Sequence, residues 1–245
     1  MNKITTILII SLTIFMFVSP LYCQENDLDK LMVELEEDYS KDTKKINDPL
    51  EPINRAFFKI NDILMVYVLN PVTKVYSQVL PDNFRQGISR GFNNIKYPIR
   101  GVNRFLQLNF SLFFKETARF IINTSLGFFG FIDAASGISY LKPPPTTDTG
   151  ITLGKYGVGH GCYLVLPVLG PSSLRDGIGF IGDHFLNPVT YVEPNYASFL
   201  LKGEDKLNKL SFHMKDYEDL KASAMDPYIS FRNAYLQNRE YYLSK

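Results

Sequence analysis

The residues best placed to do chemistry in this chain are Arg175, Asp176 and Asp183. Asp176 and Asp183 stand seven apart, so a helix puts both carboxylates on one face, with Gly179 between them. That face would be polar and nearly free of side-chain bulk, while Ile178, Ile181 and Phe185 point elsewhere. The spacing leaves two readings open. The commoner is a solvated helix face carrying a salt bridge; the other is the polar wall of a water-filled passage, with Gly179 leaving room for a ligand. No catalytic set accompanies these residues. Ser172 lies outside a nucleophile-elbow sequence, and no paired carboxylates stand out for hydrolysis. His160, His184 and His213 lack a second ligand at metal spacing, and Cys162 beside His160 is not a zinc pattern. We therefore expect no metal, no cofactor and no enzymatic activity.

Gly177, Gly179 and Gly182 reproduce the spacing of a dinucleotide-binding glycine loop. That loop needs a strand directly before it and a βαβ unit around it. Here Arg175-Asp176 precede the glycines and no βαβ alternation follows, so close packing of a helix against a neighbour is the better reading.

The elements that must position these residues read as mainly helical. Asp48-Pro49 suits a helix start, Ile53 to Leu69 is strongly apolar, and Asn70-Pro71 is expected to stop it. Asp82 could cap a helix through Phe84, Ile88, Phe92 and Ile95, ending at Tyr97-Pro98, with another from Val102 towards Leu108. From Ser111 to Leu126, Lys115, Glu116, Arg119 and Asn123 share a narrow edge, and apolar residues cover the rest. That apolar arc is roughly 200°, wider than an ordinary surface helix carries. Such a helix is either deeply buried or lies in lipid with one polar edge, and its charges forbid a simple transmembrane span.

Beyond the glycine- and Phe-rich region 127–137 and the Pro143-Pro144-Pro145 connector, residues 151–170 read as loop and short extended segments, being too rich in glycine for a helix. Ser172 and Ser173 can cap a helix to about Leu186, ended by Asn187-Pro188. Tyr196 to Ala222 has amphipathic spacing, and Asp226-Pro227 opens a last helix through Arg239.

The 245 residues are 45% apolar and carry a net charge of +1, which argues against a nucleic-acid partner. Lys3 followed by the apolar run Ile4 to Val18 resembles an export signal. As a helix the run spans about 22 Å, short of the roughly 30 Å hydrocarbon core. Cys23 stands where a lipoprotein signal places its lipidated cysteine, although Leu21 is one position late and Tyr22 is bulky; ordinary cleavage after Cys23 is the other reading. The expected organisation is a signal peptide (1–23), a charged tether (24–47), one helical domain (48–240) and a tail (241–245).

Several short motifs then fall in a specific order. They are Asp48-Pro49 with Asn54-Arg55; Asn123 and Gly127 with Asp133; Gly154, Tyr156, Gly157, Gly159 and Tyr163; Arg175-Asp176; and Asp226-Pro227-Tyr228 with Arg232. On these the chain resembles the MlaA (VacJ) family of outer-membrane lipoproteins of phospholipid transport, over about residues 47–240. The resemblance implies a ring-like bundle of amphipathic helices lying in the periplasmic leaflet of a Gram-negative outer membrane, with a polar central channel. It further implies phospholipid as cargo, a trimeric porin as neighbour and a periplasmic lipid carrier of the MlaC type as recipient. On it, Arg175, Asp176 and Asp183 become channel-lining candidates, and the arc of the 111–126 helix becomes lipid-facing. His160, Cys162 and the acidic tether stand outside the shared pattern. The alternatives are a structural or porin-binding envelope lipoprotein that moves no lipid, and a lipid-modifying enzyme.

Overall fold

The computed structural model describes residues 48–245, so the signal-like stretch, Cys23 and the tether lie outside the described residues. The chain is mainly helical, as expected. Helix α1 (Glu51–Leu64) opens two residues later than Asp48-Pro49 suggested, with Pro52 in its first turn. It does not end at Asn70-Pro71. A π turn at Met65–Leu69 carries it into α2 (Asn70–Val79). The wide turn lets the Asn70 N–H bond back to the Met65 carbonyl, shifting the ladder where Pro71 has no N–H to give.

Helix α3 (Asp82–Ile95) follows, and then α4 (Tyr97–Leu106). Tyr97-Pro98 thus opens α4 instead of ending α3, because proline is tolerated in a first turn where the N–H would be unpaired. Helix α5 (Phe110–Ser125) is capped by the Asn109 side chain, which accepts from Leu112 N–H. A turn and two short 3₁₀ segments lead to the proline connector.

The glycine-rich region departs from expectation at its start. Asp148 caps a helix, α6 (Thr149–Lys155), through the Ile151 N–H. Gly150 and Gly154 sit inside it because neighbouring helices need the space, as described below. Strands β1 (Tyr163–Leu166) and β2 (Gly170–Ser173) then form an antiparallel hairpin. Ser173 caps α7 (Leu174–Leu186) through the Asp176 N–H, and Asn187 ends that helix by capping a 3₁₀ turn. Helices α8 (Asn195–Ser223) and α9 (Pro227–Ser244) complete the chain. Residues 241–244, expected as a tail, are the last turn of α9, held there by buried Tyr242.

Two small apolar clusters hold these elements. In one, Met65 and Leu69 of the π turn meet Leu207 and Met214 of α8. In the other, Tyr163 and Val165 of β1 meet Tyr228 and Leu236 of α9. Helix α1 supports the hairpin from its edge. Asn54 and Asn61, two turns apart, each donate to a carbonyl (Tyr163 and Leu166) and accept from an N–H (Val165 and Val168), standing in for a missing third strand. No single described helix is long and apolar enough to cross a membrane; only the pair Glu51–Val79 and Asp82–Ile95, bent by 111°, passes that test together.

Candidate functional site

Helix α7 carries Arg175, Asp176, Gly179 and Asp183, and it packs tightly on α6. A Cβ on Gly179 would stand 2.4 Å from the Gly150 nitrogen and 2.7 Å from its Cα. The gap that Gly179 leaves in the sequence is therefore filled by the α6 backbone and is not room for a ligand. Gly182 serves the same contact, meeting Thr149. Gly177 faces open space. Of the three glycines, two permit close helix packing, which is the reading the sequence favoured over a dinucleotide loop. Gly179→Ala should therefore force two backbones apart and cost about 1–3 kcal/mol, whereas Gly177→Ala should raise stability by up to about 1 kcal/mol through helix propensity. Thermal unfolding of the two variants checks the contrast, and an equal effect at both positions would contradict the packing.

Asp176 and Asp183 share the face but not the environment. Asp176 belongs to a buried ion network. Arg239 of α9 reaches it with Nη2 at 2.8 Å and also grips Asp148 with both nitrogens, at 2.6 and 2.8 Å. Arg175 Nε lies 3.1 Å from the same Asp176 oxygen, and the Tyr235 hydroxyl donates to the other. Burial works against charge at Asp176, but Arg239, Tyr235 and Arg175 outweigh it and hold the carboxyl below the usual range. Among the described residues Asp183 has no cation paired with it. Its Oδ1 accepts from the Thr149 N–H (3.0 Å) and hydroxyl (2.7 Å), with Asn103 Nδ2 at 3.4 Å. Burial and the Asp148 carboxylate push Asp183 up to about 6, against those hydrogen bonds.

A cavity of about 230 Å³ opens beside the network, between the glycine loop and α9. Arg175, Arg239, His160, Gly157, Gly159 and Glu240 are among its walls. His160 and Cys162 find a structural use here: their carbonyls accept from the Arg175 and Leu174 N–H groups. Gly154 is required because a Cβ would stand 2.5 Å from Leu243 and 2.7 Å from Arg175. The Tyr156 hydroxyl bonds the Leu106 carbonyl on α4, and Gly157 adopts φ +86°. Asp148, Thr149 and Asn103 belong to this site, and sequence reasoning passed over them. The available signal was the Asp148-Thr149-Gly150 start, a capping sequence obscured by the glycines after it.

The first and last motifs meet in space. Arg55 pairs with Asp226 at 2.8 Å and lies over the Tyr228 ring at 4.5 Å. Asp48 receives the Tyr228 hydroxyl, Arg232 at 3.5 Å and Asn54 at 3.1 Å. Pro49 precedes α1, and Pro227 starts α9 after the Asp226 cap. The middle motif makes a second clamp: Asp133 takes Arg119 through both oxygens at 2.8 Å and Asn123 at 2.9 Å. Gly127 is obligatory beside it, since a Cβ would meet the Ile132 carbonyl oxygen at 2.1 Å.

These clamps turn α5 inside out. Glu116, 3% exposed, pairs inward with Arg100, and Asn123 is buried, while Phe114 is 66% exposed. In the following turn Phe128 and Phe129 are 75% and 69% exposed. Helix α1 does the same, burying Asn54 and exposing Ile53, Ile60 and Ile63. The narrow polar edge foreseen on α5 thus faces the protein, while Phe114 and Ile121 of the apolar arc face out and Phe113 and Phe120 pack on Phe105 and Tyr97 of α4.

The fold and site define a mainly helical class of protein in which polar residues are clamped inward and large aromatic residues are left exposed. Within that class, the chain belongs to the MlaA lipoprotein family, whose pattern it matches over residues 46–242. It is 34% identical over 200 residues to the intermembrane phospholipid transport system lipoprotein MlaA of Escherichia coli (strain K12), covering 80% of this chain and 78% of that protein. It is 32% identical over 207 residues to the protein of the same name from Haemophilus influenzae, covering 82% of each. A solved structure reported as "Structural basis for maintenance of bacterial outer membrane lipid asymmetry" matches with a TM-score of 0.69 and 32% identity, over 81% of this chain and 100% of that one. Membership places the chain among the lipoproteins of the cell envelope.

Proposed function

We propose that this chain is the outer-membrane component of an intermembrane phospholipid transport system. It lies in the periplasmic leaflet as a ring-like bundle of amphipathic helices and takes mislocalised phospholipid from the outer leaflet through a polar channel. It then passes the lipid to a periplasmic carrier of the MlaC type, beside a trimeric porin, and so maintains lipid asymmetry. The names of the Escherichia coli and Haemophilus influenzae relatives support the transport role. The observation that carries the reading is the inverted α5, with Glu116 and Asn123 inside and Phe114 outside. Exposed aromatic surface of this kind is unfavourable in water and favourable in a hydrocarbon leaflet. Cys23 would add a lipid anchor, ahead of a tether over residues 24–47.

A polar passage is what such a task needs. A headgroup phosphate crossing hydrocarbon unaided must shed water at high cost, and a polar wall keeps it solvated while the acyl tails stay apolar. No bond is broken, so no nucleophile is required. A passage alone only equilibrates, so net direction must come from elsewhere in the transport system. We place Asp183 on the wall of this passage, with Arg175 and Asp176 behind it as the frame that fixes α7. Asp183 suits the wall because it is partly exposed and, among the described residues, its partners are hydrogen-bond donors on α6 and α4 and not cations.

Surface phospholipid in cells lacking the native chain tests the proposal. The parent chain should clear it, Asp183→Asn should clear it as well, and Asp183→Leu should leave it in the outer leaflet at equal protein level and location. Clearance by Asp183→Leu would remove Asp183 from the wall. A parent chain that clears nothing would favour the structural lipoprotein instead.

A further inference from the structure

A second set of charges lies apart from this frame, where the junction of α3 and α4 meets α8. Lys96 is the single residue between α3 and α4, and Asp205, Lys206 and Lys209 lie on α8. Lys96 Nζ pairs with one Asp205 oxygen, and Lys209 Nζ stands 3.4 Å from the other. Lys206 Nζ is wholly buried, and among the described residues it has no hydrogen-bond partner. The adjacent Glu204 is engaged by the Tyr76 hydroxyl. Three lysine side chains thus gather around one carboxylate, and the Lys206 amine is buried among them without a hydrogen-bonded anion among the described residues.

Such an arrangement is costly, because an ammonium removed from water needs a compensating anion. Packing does not explain it, since an apolar residue of similar length would fill the volume without that cost. Burial and the facing lysines lower Lys206 to about 6, and burial with Lys209 lowers Lys96 to about 8. A bound anion would reverse both shifts. Lysine ammonium groups are compact, with three rotatable donors on a flexible stem, which suits the several oxygens of a phosphate. Lys96 and Lys209 keep 16% and 35% of their side chains exposed, so an anion has a way in from their side.

We propose that Lys96, Lys206 and Lys209 form a binding site for a phosphate group, in which Lys206 is the donor held in reserve. Its assignment to a phospholipid phosphodiester rests on the transport reading; its phosphate chemistry does not.

The test uses the full chain purified in detergent and native mass spectrometry with three probes: phosphatidylglycerol, inorganic phosphate and diacylglycerol. The parent should bind phosphatidylglycerol and not diacylglycerol. Lys206→Met should weaken that binding on the order of tenfold, the loss of one charge-assisted hydrogen bond. Its melting temperature should stay equal to the parent's or rise, and Lys59→Met on the exposed side of α1 should bind as the parent does. Lys206-dependent binding of inorganic phosphate without the lipid would keep the site and give it a free-phosphate occupant. Equal binding of phosphatidylglycerol and inorganic phosphate by parent and Lys206→Met would overturn the site, as would equal binding of diacylglycerol. Binding and surface clearance are separate readouts, so a failed site in a chain that still clears phospholipid leaves the transport reading intact, and the reverse result leaves the site intact.

Discussion

Arg239→Met is expected to remove about 3–5 kcal/mol of stability, the penalty for leaving buried charges without their partner. Among the described residues Arg239 is the one cation that bonds both Asp148 and Asp176, and it ties α9 to the start of α6 and to the first turn of α7. Its loss strips Asp148 of the cation that grips it and leaves Asp176 with Arg175 and the Tyr235 hydroxyl. Against a typical total of 5–15 kcal/mol, little margin would remain. Arg239→Lys should recover only part of the loss, because a single ammonium cannot reproduce the two-sided grip on Asp148. The same network sets an acid limit. The Asp176 carboxyl is held below its unfolded value, so its contribution is complete above that value and is lost as pH falls through the folded one. The parent should therefore show an acid-side loss of stability that Arg239→Met largely lacks. Thermal melts across pH read both effects, and an Arg239→Met melting temperature matching the parent's at neutral pH would show that the two acids have other means of compensation.

How far the sequence carried depended on the range of the interactions involved. Helix positions were legible wherever a local cap or an apolar period set them, as at Ser173 for α7 and Asp226 for α9. Asn70-Pro71 misled because local proline rules do not register a π turn five residues long that absorbs the missing N–H. The glycines at 150 and 154 misled for a related reason. Their low helix propensity is a local cost of about 1 kcal/mol each, set against a contact with α7 and α9 that only the folded chain supplies. The site shows the same division. Spacing aligned Asp176 and Asp183 correctly on one face of α7. It could not assign them opposite electrostatics, because the deciding groups, Arg239 and Asp148, lie 63 and 35 residues away along the chain. The inversion of α5 was half legible: the width of its apolar arc excluded an ordinary surface helix, and the Arg100 and Asp133 partners decide which side faces in.

Replacing Phe128 and Phe129 together with Asn should detach the chain from lipid without unfolding it. Both rings project from the turn after α5, and they touch each other with centroids 6.1 Å apart. Both residues also hold left-handed backbone, at φ 51° and 58°, which bulky side chains rarely adopt and asparagine tolerates. The turn itself is fixed from below, by Gly130 N–H on the Asn123 carbonyl at 2.8 Å, Ile132 N–H on Gly127 at 2.9 Å and the Arg119–Asp133 clamp. Asparagine at both positions therefore leaves the support in place and relieves the backbone. What changes is the apolar surface offered to the leaflet. Burying a phenylalanine side chain is worth about 1.5–3 kcal/mol, so losing two weakens partitioning on the order of a hundredfold or more. The measurement belongs in a Cys23→Ser background, so that no acyl anchor at that position masks the effect. Sedimentation with phospholipid vesicles should move the double variant from the pellet to the supernatant, with its thermal unfolding unchanged or shifted upward. A double variant that pellets like its parent would mean that this turn lies outside the leaflet and that α1 and α5 carry the contact without it.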